Sequence, residues 1–460
     1  TSGVTFVDMT TPASPRVAGT HPVSGPAWSV ALSRGAMYVA TELGLAAVAN
    51  VATPPMINET LWSITPAATA TTVSGSSASV TGIMPITVQL KNSVTNATSS
   101  IVNVGSDGSW TATVATVAGQ ALTMTATDAA GRASTRALGT TYGATKTYLA
   151  NMVTGGTDSY RARRTVSDGN YTVTTTGSLF GGSPRADRVL LFPTASTTGV
   201  AQLVSSGVGG IQDVQISNGY LYMAGDRFGS INLADPAFTV HLTGDPNGTD
   251  ECLAISGRYA FTCEADYQNN GAINIYDINN PGAPVFLRQQ LSVLGISGLG
   301  YARALVPLGT SYLIGISPER PGAVGHDLIV IDRTDINNLK KVAELEIANF
   351  DAIDAVADGS TLYVAGLDAG IAIVDFTNPF VPVLKSTLAV GGPVRGIALS
   401  GPNELVVPTG SGITFVDVAD KTAPVITGRQ KLPGSTIDVD VVGKNILVAA
   451  ENYFHSIMRP

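Results

Sequence analysis

Residues Gly370–Leu384 read GIAIVDFTNPFVPVL, an apolar alternating strand that ends in Asp375, a turn carrying Asn378, Pro379 and Pro382, and the start of a second apolar strand. The same phrase returns as GITFVDVADKTAPVI (Gly412–Ile426), AINIYDINNPGAPVF (Ala272–Phe286) and GVTFVDMTTPASPRV (Gly3–Val17). Looser copies are DLIVIDRTDINNLKKV (Asp327–Val342), SINLADPAFTV (Ser230–Val240), ADRVLLFPTASTTGV (Ala186–Val200) and GLAAVANVATPPMI (Gly44–Ile57). Eight copies of one phrase mark a repeat architecture.

A second pattern precedes each phrase: a short alternating strand, a Gly or polar turn, and an apolar strand. It is seen in IDAVADGSTLYVAGLDAG (Ile353–Gly370), IQDVQISNGYLYMAGDRFG (Ile211–Gly229), WSVALSRGAMYVATELG (Trp28–Gly44) and IDVDVVGKNILVAAENY (Ile437–Tyr453). Together the two patterns supply four strands per unit. Asp375 to Asp417 is 42 residues and Asp332 to Asp375 is 43, the period of four-stranded propeller blades. Helical solenoids of similar period fail, because the apolar residues alternate with period two and are rich in β-branched types and Tyr. The expected fold is all-β, a propeller of about eight blades with seven as the alternative count.

The IAIVD, ITFVD, INIYD and VTFVD copies resemble the LVIVD repeat of bacterial and archaeal cell-surface proteins. That resemblance implies a propeller at a cell surface and is almost silent on activity. The Asp that ends each phrase is read as structural, its carboxylate accepting backbone N–H groups of the following turn. In the looser copies Asn50, Pro193 and Ala234 are read at its place, which argues against a shared catalytic role.

The period breaks once. Asn50 to Pro193, equivalent places in consecutive units, spans 143 residues, about 100 more than one repeat. The stretch 66–141 is rich in Thr, Ser, Ala and Val, with short strands such as ITVQLKN and ALTMTATD around a central Trp110, and resembles a bacterial immunoglobulin-like module. The division is therefore 1–65 propeller, 66–141 insert and 142–460 propeller. In this scheme Gly3–Val17 supplies outer strands that close the last blade, removing exposed edges. Phe454–Ile457 competes for the same place; should it win, the N-terminal strand is free to add to a neighbouring molecule.

The 460 residues carry only 13% charged side chains, 50 glycines and a formal net charge of −8. Disorder is excluded by this composition, and an acidic chain with no basic stripe argues against nucleic acid. No apolar run reaches the length of a membrane helix. TSGVTFVDM opens directly in strand-like sequence, so a leader is expected to have been removed from an extracellular or cell-surface protein.

Cys252 and Cys263 sit symmetrically about Gly257-Arg258. A tight hairpin there brings the thiols face to face within disulfide range, with two buried free thiols as the alternative. Asp245, Asn247, Asp250 and Glu251 in GDPNGTDE form the densest set of oxygen ligands; calcium is the cofactor such a loop could hold, and a solvated turn is the competing reading. The clusters SPRADRV and YRARR, with Arg185, Arg188, Arg161, Arg163 and Arg164, read as solvated loop charges. His21, His241, His326 and His455 lie in unrelated contexts, and neither a hydrolase elbow nor a phosphate loop is present. Asn58, Asn96, Asn170 and Asn247 head N-x-S/T sequons and are candidate glycosylation sites.

The sequence thus points to a non-enzymatic structural or adhesive surface protein that self-associates through the insert or terminal strands into a filament or layer. A lectin-like or small-molecule-binding propeller is the alternative, and an extracellular hydrolase or lyase a third.

Overall fold

The computed structural model describes residues 3–8, 16–22, 26–33, 36–42, 44–49, 54–58, 61–82, 84–117, 119–129, 131–140, 145–149, 161–177, 188–193, 202–205, 207–243, 250–264, 272–291, 302–317, 327–451 and 453–459. Among them every regular element is a strand. The chain divides into two compact units, one of residues 1–64 and 68–141, the other of 65–67 and 142–460.

The larger unit holds seven sets of four antiparallel strands, six of them separate four-stranded sheets and one, from Ala398–Gly401 to Val425–Thr436, part of a seven-stranded sheet. Their first strands are Arg161–Ser167, Asp213–Ser217, Asp250–Ser256, Ala304–Leu308, Asp354–Asp358, Ala398–Gly401 and Asp438–Val442. Each lies beside the first strand of the next sheet, and Asp438–Val442 lies beside Arg161–Ser167. The first six sheets are built from four strands consecutive in the chain.

Packing in this unit follows from the repeat. In the fifth sheet, Thr361–Ala365 and Ile371–Ile373 are buried at every position. Their side chains alternate between two cores: Leu362, Val364, Ala372 and Val374 pack with Ile314 and Val330 of the fourth sheet, while Tyr363, Ala365, Ile371 and Ile373 pack with Leu405, Val407 and Val416 of the sixth. The middle strands therefore read as unbroken apolar runs, because a sheet covered on both faces has no solvent side. Each fully buried aliphatic side chain contributes roughly 1.5–3 kcal/mol.

The repeat aspartate fastens the turn after the third strand. Asp277, Asp332, Asp375 and Asp417 each accept the backbone N–H two residues on, at 2.8–2.9 Å. In the second sheet the place belongs to Asn232, opposite Tyr220, and not to Ala234 as the sequence suggested; its Oδ1 accepts the Ala234 N–H at 2.9 Å. An amide oxygen performs the same local bond as a carboxylate.

The seventh sheet corrects the expected closure. Asp438–Val442 and Asn445–Ala450 are followed by Tyr453–Met458 in the third place, and Thr145–Leu149 takes the fourth, pairing antiparallel with it from Thr145↔Ile457 to Leu149↔Tyr453. The C-terminal strand wins because it follows its partner after a short turn, whereas Gly3–Asp8 pairs with Arg16–Pro22 in a hairpin of its own.

In the smaller unit, Ala27–Ser33, Ala36–Thr41 and Gly44–Ala49 form a three-stranded sheet. Farther along, Trp110–Ala115 pairs with Ala70–Gly75, and Val102–Asn103, Ile86–Asn92, Ala121–Asp128 and Ala133–Thr140 make a four-stranded sheet. Strict alternation of buried and accessible residues along Trp110–Ala115 and Ala121–Asp128 turns Trp110, Ala112, Val114, Leu122 and Met124 into one core with Val73, Val88 and Leu90. Trp110 is a core residue, as its sequence context suggested.

Candidate functional site

The first strands of the larger unit converge on a cavity of about 160 Å³ whose lining includes Arg164, Asp213, Asp354, Asp438 and Asp440. Their positions follow from a short recurrence, IQDV, IDAV and IDVDV, at the start of three first strands. In a strand beginning this way, the apolar neighbours enter the cores between sheets and the aspartate is left at the centre.

Arg164 is the cation of the cluster. Its Nε lies 3.8 Å from Asp213 Oδ1, and its Nη1 lies 3.5 Å from Asp354 Oδ2 and 3.6 Å from Asp438 Oδ1. The sequence reading of Arg164 as a solvated loop charge is therefore corrected. Arg161–Ser167 is a first strand, and its register turns the guanidinium inward.

The carboxylates also tie each sheet to the next. Asp213 Oδ2 accepts the Leu253 N–H at 2.9 Å, and Gln215 receives the Ile255 N–H at 3.0 Å while donating to the Leu253 carbonyl at 2.7 Å. Asp438 Oδ2 accepts the Thr165 N–H at 2.8 Å and Asp440 Oδ2 the Ser167 N–H at 2.7 Å. A backbone N–H of Ile397 reaches Asp354 in the same sense. Every such bond runs forward, from one first strand to the next sheet.

Burial governs the electrostatics. It pushes the Asp213 carboxyl up to about 6 and the Asp438 carboxyl up to about 7, with Arg164 and the donated N–H groups opposing the rise. Asp354 and Asp440 move upward for the same reason. Burial disfavours the Arg164 cation too, but Asp213, Asp354 and Asp438 together outweigh it and hold the guanidinium protonated. The cluster can hold or release protons near neutrality, while its backbone bonds fix the positions of the groups.

The remaining candidates lie elsewhere. Asp245 and Asn247 fall outside the described residues. Asp250 is buried and accepts hydrogen bonds from Thr262, Asn274 and Tyr276, while Glu251 pairs with Arg303 at 3.5 Å. A β-bulge interrupts the register between Asp250 and Cys252, at Glu251. Among the described residues no group of three or more His, Cys, Asp or Glu is placed to hold a metal.

His241 lies on Val240–Thr243, the fourth strand of its sheet, and buried His455 on a third strand has Nε2 2.8 Å from the Pro433 carbonyl; neither lines the cavity. His326 and the side chain of His21 are outside the described residues, as are the side chains of Arg161, Arg163, Arg185 and Arg188. Cys252 and Cys263 face each other in register, Cα atoms 5.2 Å apart, and are joined as a disulfide. Asn58, Asn96 and Asn170 are exposed, and Asn247 is outside the described residues. No helix is long and apolar enough to cross a membrane.

Comparison with known proteins bears on the fold. A family model of the LVIVD repeat matches residues 351–390, the segment that builds the fifth sheet. No curated protein matches the chain. Virginiamycin B lyase from Staphylococcus aureus is similar over 69% of this chain and 99% of its own, at 11% identity and a TM-score of 0.51. Its catalytically inactive variant, solved with quinupristin, gives 0.50 at 11% identity over 69% and 100% of the two chains. The WD40 β-propeller domain of Doa1 gives 0.48 at 13% identity over 69% and 98%. The likeness to the lyase is one of fold, and the fold is propeller-like.

Proposed function

We propose that this chain is a non-enzymatic structural or adhesive protein, exported or displayed on a cell surface, built as a closed seven-bladed propeller with an immunoglobulin-like module and assembling with copies of itself into a filament or layer. The observation that carries the reading is the use made of the central polar groups. Asp213, Asp438 and Asp440 accept N–H groups of the next sheet, so the place where a propeller usually keeps its ligand is given to holding the ring together. The cavity they leave, about 160 Å³, is below the roughly 300–1,000 Å³ typical of ligand pockets.

Three further features support export and assembly. The Cys252–Cys263 disulfide suits an oxidising compartment. Val285, Val383 and Val425, at equivalent places where the fourth strands begin, are all exposed, giving the rim a recurring apolar edge. Low charge leaves little repulsion between copies. Exposed Asn58, Asn96 and Asn170 are open to glycosylation, which an intact mass equal to the sequence mass would exclude.

The test is size against concentration, by sedimentation and by electron microscopy of native material. Filaments, layers or concentration-dependent oligomers are expected. Isolated monomers at high concentration overturn the assembly reading, and reproducible hits on a glycan array would move the protein to the lectin-like alternative.

A further inference from the structure

The cavity at the first strands carries more anionic groups than its cation balances. Its titratable lining is Arg164, Asp213, Asp354, Asp438 and Asp440, four carboxyl groups to one guanidinium. Arg164 meets Asp354, Asp438 and Asp213 at 3.5, 3.6 and 3.8 Å, beyond the roughly 2.7–2.9 Å of a close charge-assisted bond. The bonds that tie sheet to sheet use one oxygen each of Asp213, Asp438 and Asp440, Oδ2 in every case. A carboxylate offers about four lone-pair sites, so those bonds leave acceptor capacity on each group.

Thr165 lines the same cavity. It is 2% exposed, and its Oγ1 has no hydrogen-bond partner among the described residues. Native proteins seldom bury a hydroxyl in that state. The Thr165 N–H donates to Asp438 Oδ2 at 2.8 Å, so the hydroxyl and this carboxylate are held close together on neighbouring strands, with Asp440 two residues along from Asp438. Val214, Leu253, Leu305, Val306 and Val439 give the lining its apolar part.

A primary ammonium brings three N–H donors, a positive charge and no acceptor, which matches a neutral acceptor beside an excess of carboxylates. Among the described residues no three His, Cys, Asp or Glu are placed to hold a metal, so an organic head that spans hydrogen-bond distances suits these groups better than a bare ion. Volume limits the remainder of the molecule. At about 160 Å³ the cavity is close to the roughly 150 Å³ that holds benzene in an engineered core, room for about six heavy atoms.

We infer that this cavity binds a small organic cation, a primary ammonium on a short alkyl chain, whose N–H groups donate to Thr165 Oγ1 and to the Asp438 and Asp440 carboxylates while the chain lies among the apolar residues. The site goes beyond the structural role of the cluster: it uses the acceptor capacity and the volume that the ring bonds leave, and a compact cation fits where a larger ligand does not.

The probe is n-butylammonium chloride, with tetramethylammonium chloride, a cation without N–H donors, as the control at equal ionic strength. Each is titrated calorimetrically into the full chain, and thermal melting is followed at pH 8 and pH 5. Saturable binding of butylammonium and a melting temperature raised above the control are expected at pH 8. Binding should be at least tenfold weaker at pH 5, where Asp213 and Asp438, titrating at about 6 and 7, are largely protonated; Asp354 and Asp440 are displaced in the same direction, and Arg164 stays charged throughout. Thr165→Val should melt no lower than the wild type, since the hydroxyl it removes has no partner, yet bind at least threefold more weakly. Asp438→Asn should bind at least tenfold more weakly. Absence of binding at pH 8, equal binding at the two pH values, or a folded Thr165→Val chain that binds as the wild type does would each overturn the site and leave the assembly reading standing. Should Asp438→Asn fail to fold, the wild type at two pH values and Thr165→Val still decide the outcome.

Discussion

Arg164 is one cation against Asp213, Asp354 and Asp438, and removing it leaves buried carboxylates without their counter-charge. Arg164→Met is expected to cost about 3–5 kcal/mol at pH 8, by analogy with broken buried pairs, and urea titration reads it. The pH dependence has a definite sign. Asp213 and Asp438 bind their protons more tightly in the folded chain, at about 6 and 7, than the ordinary value near 3.8. Between roughly pH 4 and 7 the native state therefore holds more protons than the unfolded one, and stability falls as pH rises. Their contribution should make the wild type more stable at pH 5 than at pH 8, and the cost of Arg164→Met should shrink on acidification. Denaturation midpoints that are flat across this range would contradict the assignment. Asp375 behaves oppositely: the Thr377 hydroxyl and N–H, with Lys385, hold it at about 2. The stability it contributes is present above pH 4 and is lost as pH falls toward 2. Asp375→Ala should cost about 1 kcal/mol at pH 7, the scale of a lost side-chain-to-backbone cap, and little at pH 2.

At the level of the strand, burial decides what a substitution costs. Ile373 is fully buried between the fifth and sixth sheets, so Ile373→Ala should cost about 2–5 kcal/mol. Val383 on the exposed fourth strand should tolerate Thr within about 0.5 kcal/mol. A chemical-denaturation pair on these two variants checks both. The hairpin joining Cys252 to Cys263 should give no mass gain on alkylation of the denatured, unreduced chain. What could be read from sequence follows the same division. The turn aspartates were legible because Asp375 and its partner Thr377 are two residues apart, and the strand pattern because alternation is local. Asp213 and Asp438 were not, since their backbone partners lie 40 and 273 positions away. The recurrence IQDV, IDAV and IDVDV around 213, 354 and 438 was the available signal, but an Asp near the start of an apolar strand is common until neighbouring first strands give it a shared cavity to face. Arg164 was lost among the arginines of YRARR, where nothing local marks a strand start.

For the molecule as a whole, the stretch 142–460 carries all seven strand sets of the larger unit, including the strand that fills the last place of the seventh sheet. The fragment 142–460 should unfold in one cooperative transition. The shorter fragment 161–460 lacks Thr145–Leu149 and leaves the Tyr453–Met458 edge bare, so calorimetry should find it melting several degrees lower and aggregating on heating. Equal melting of the two fragments would deny Thr145–Leu149 a role in holding the seventh sheet. That pairing also has a mechanical meaning. Thr145 lies opposite Ile457 and Leu149 opposite Tyr453, so a tensile load pulling residue 145 away from residue 457 strains one hydrogen bond at a time, as a zipper opens, instead of shearing the whole strand at once. A chain under such tension is expected to yield first at this seam, at low force, while its other six strand sets keep their shape.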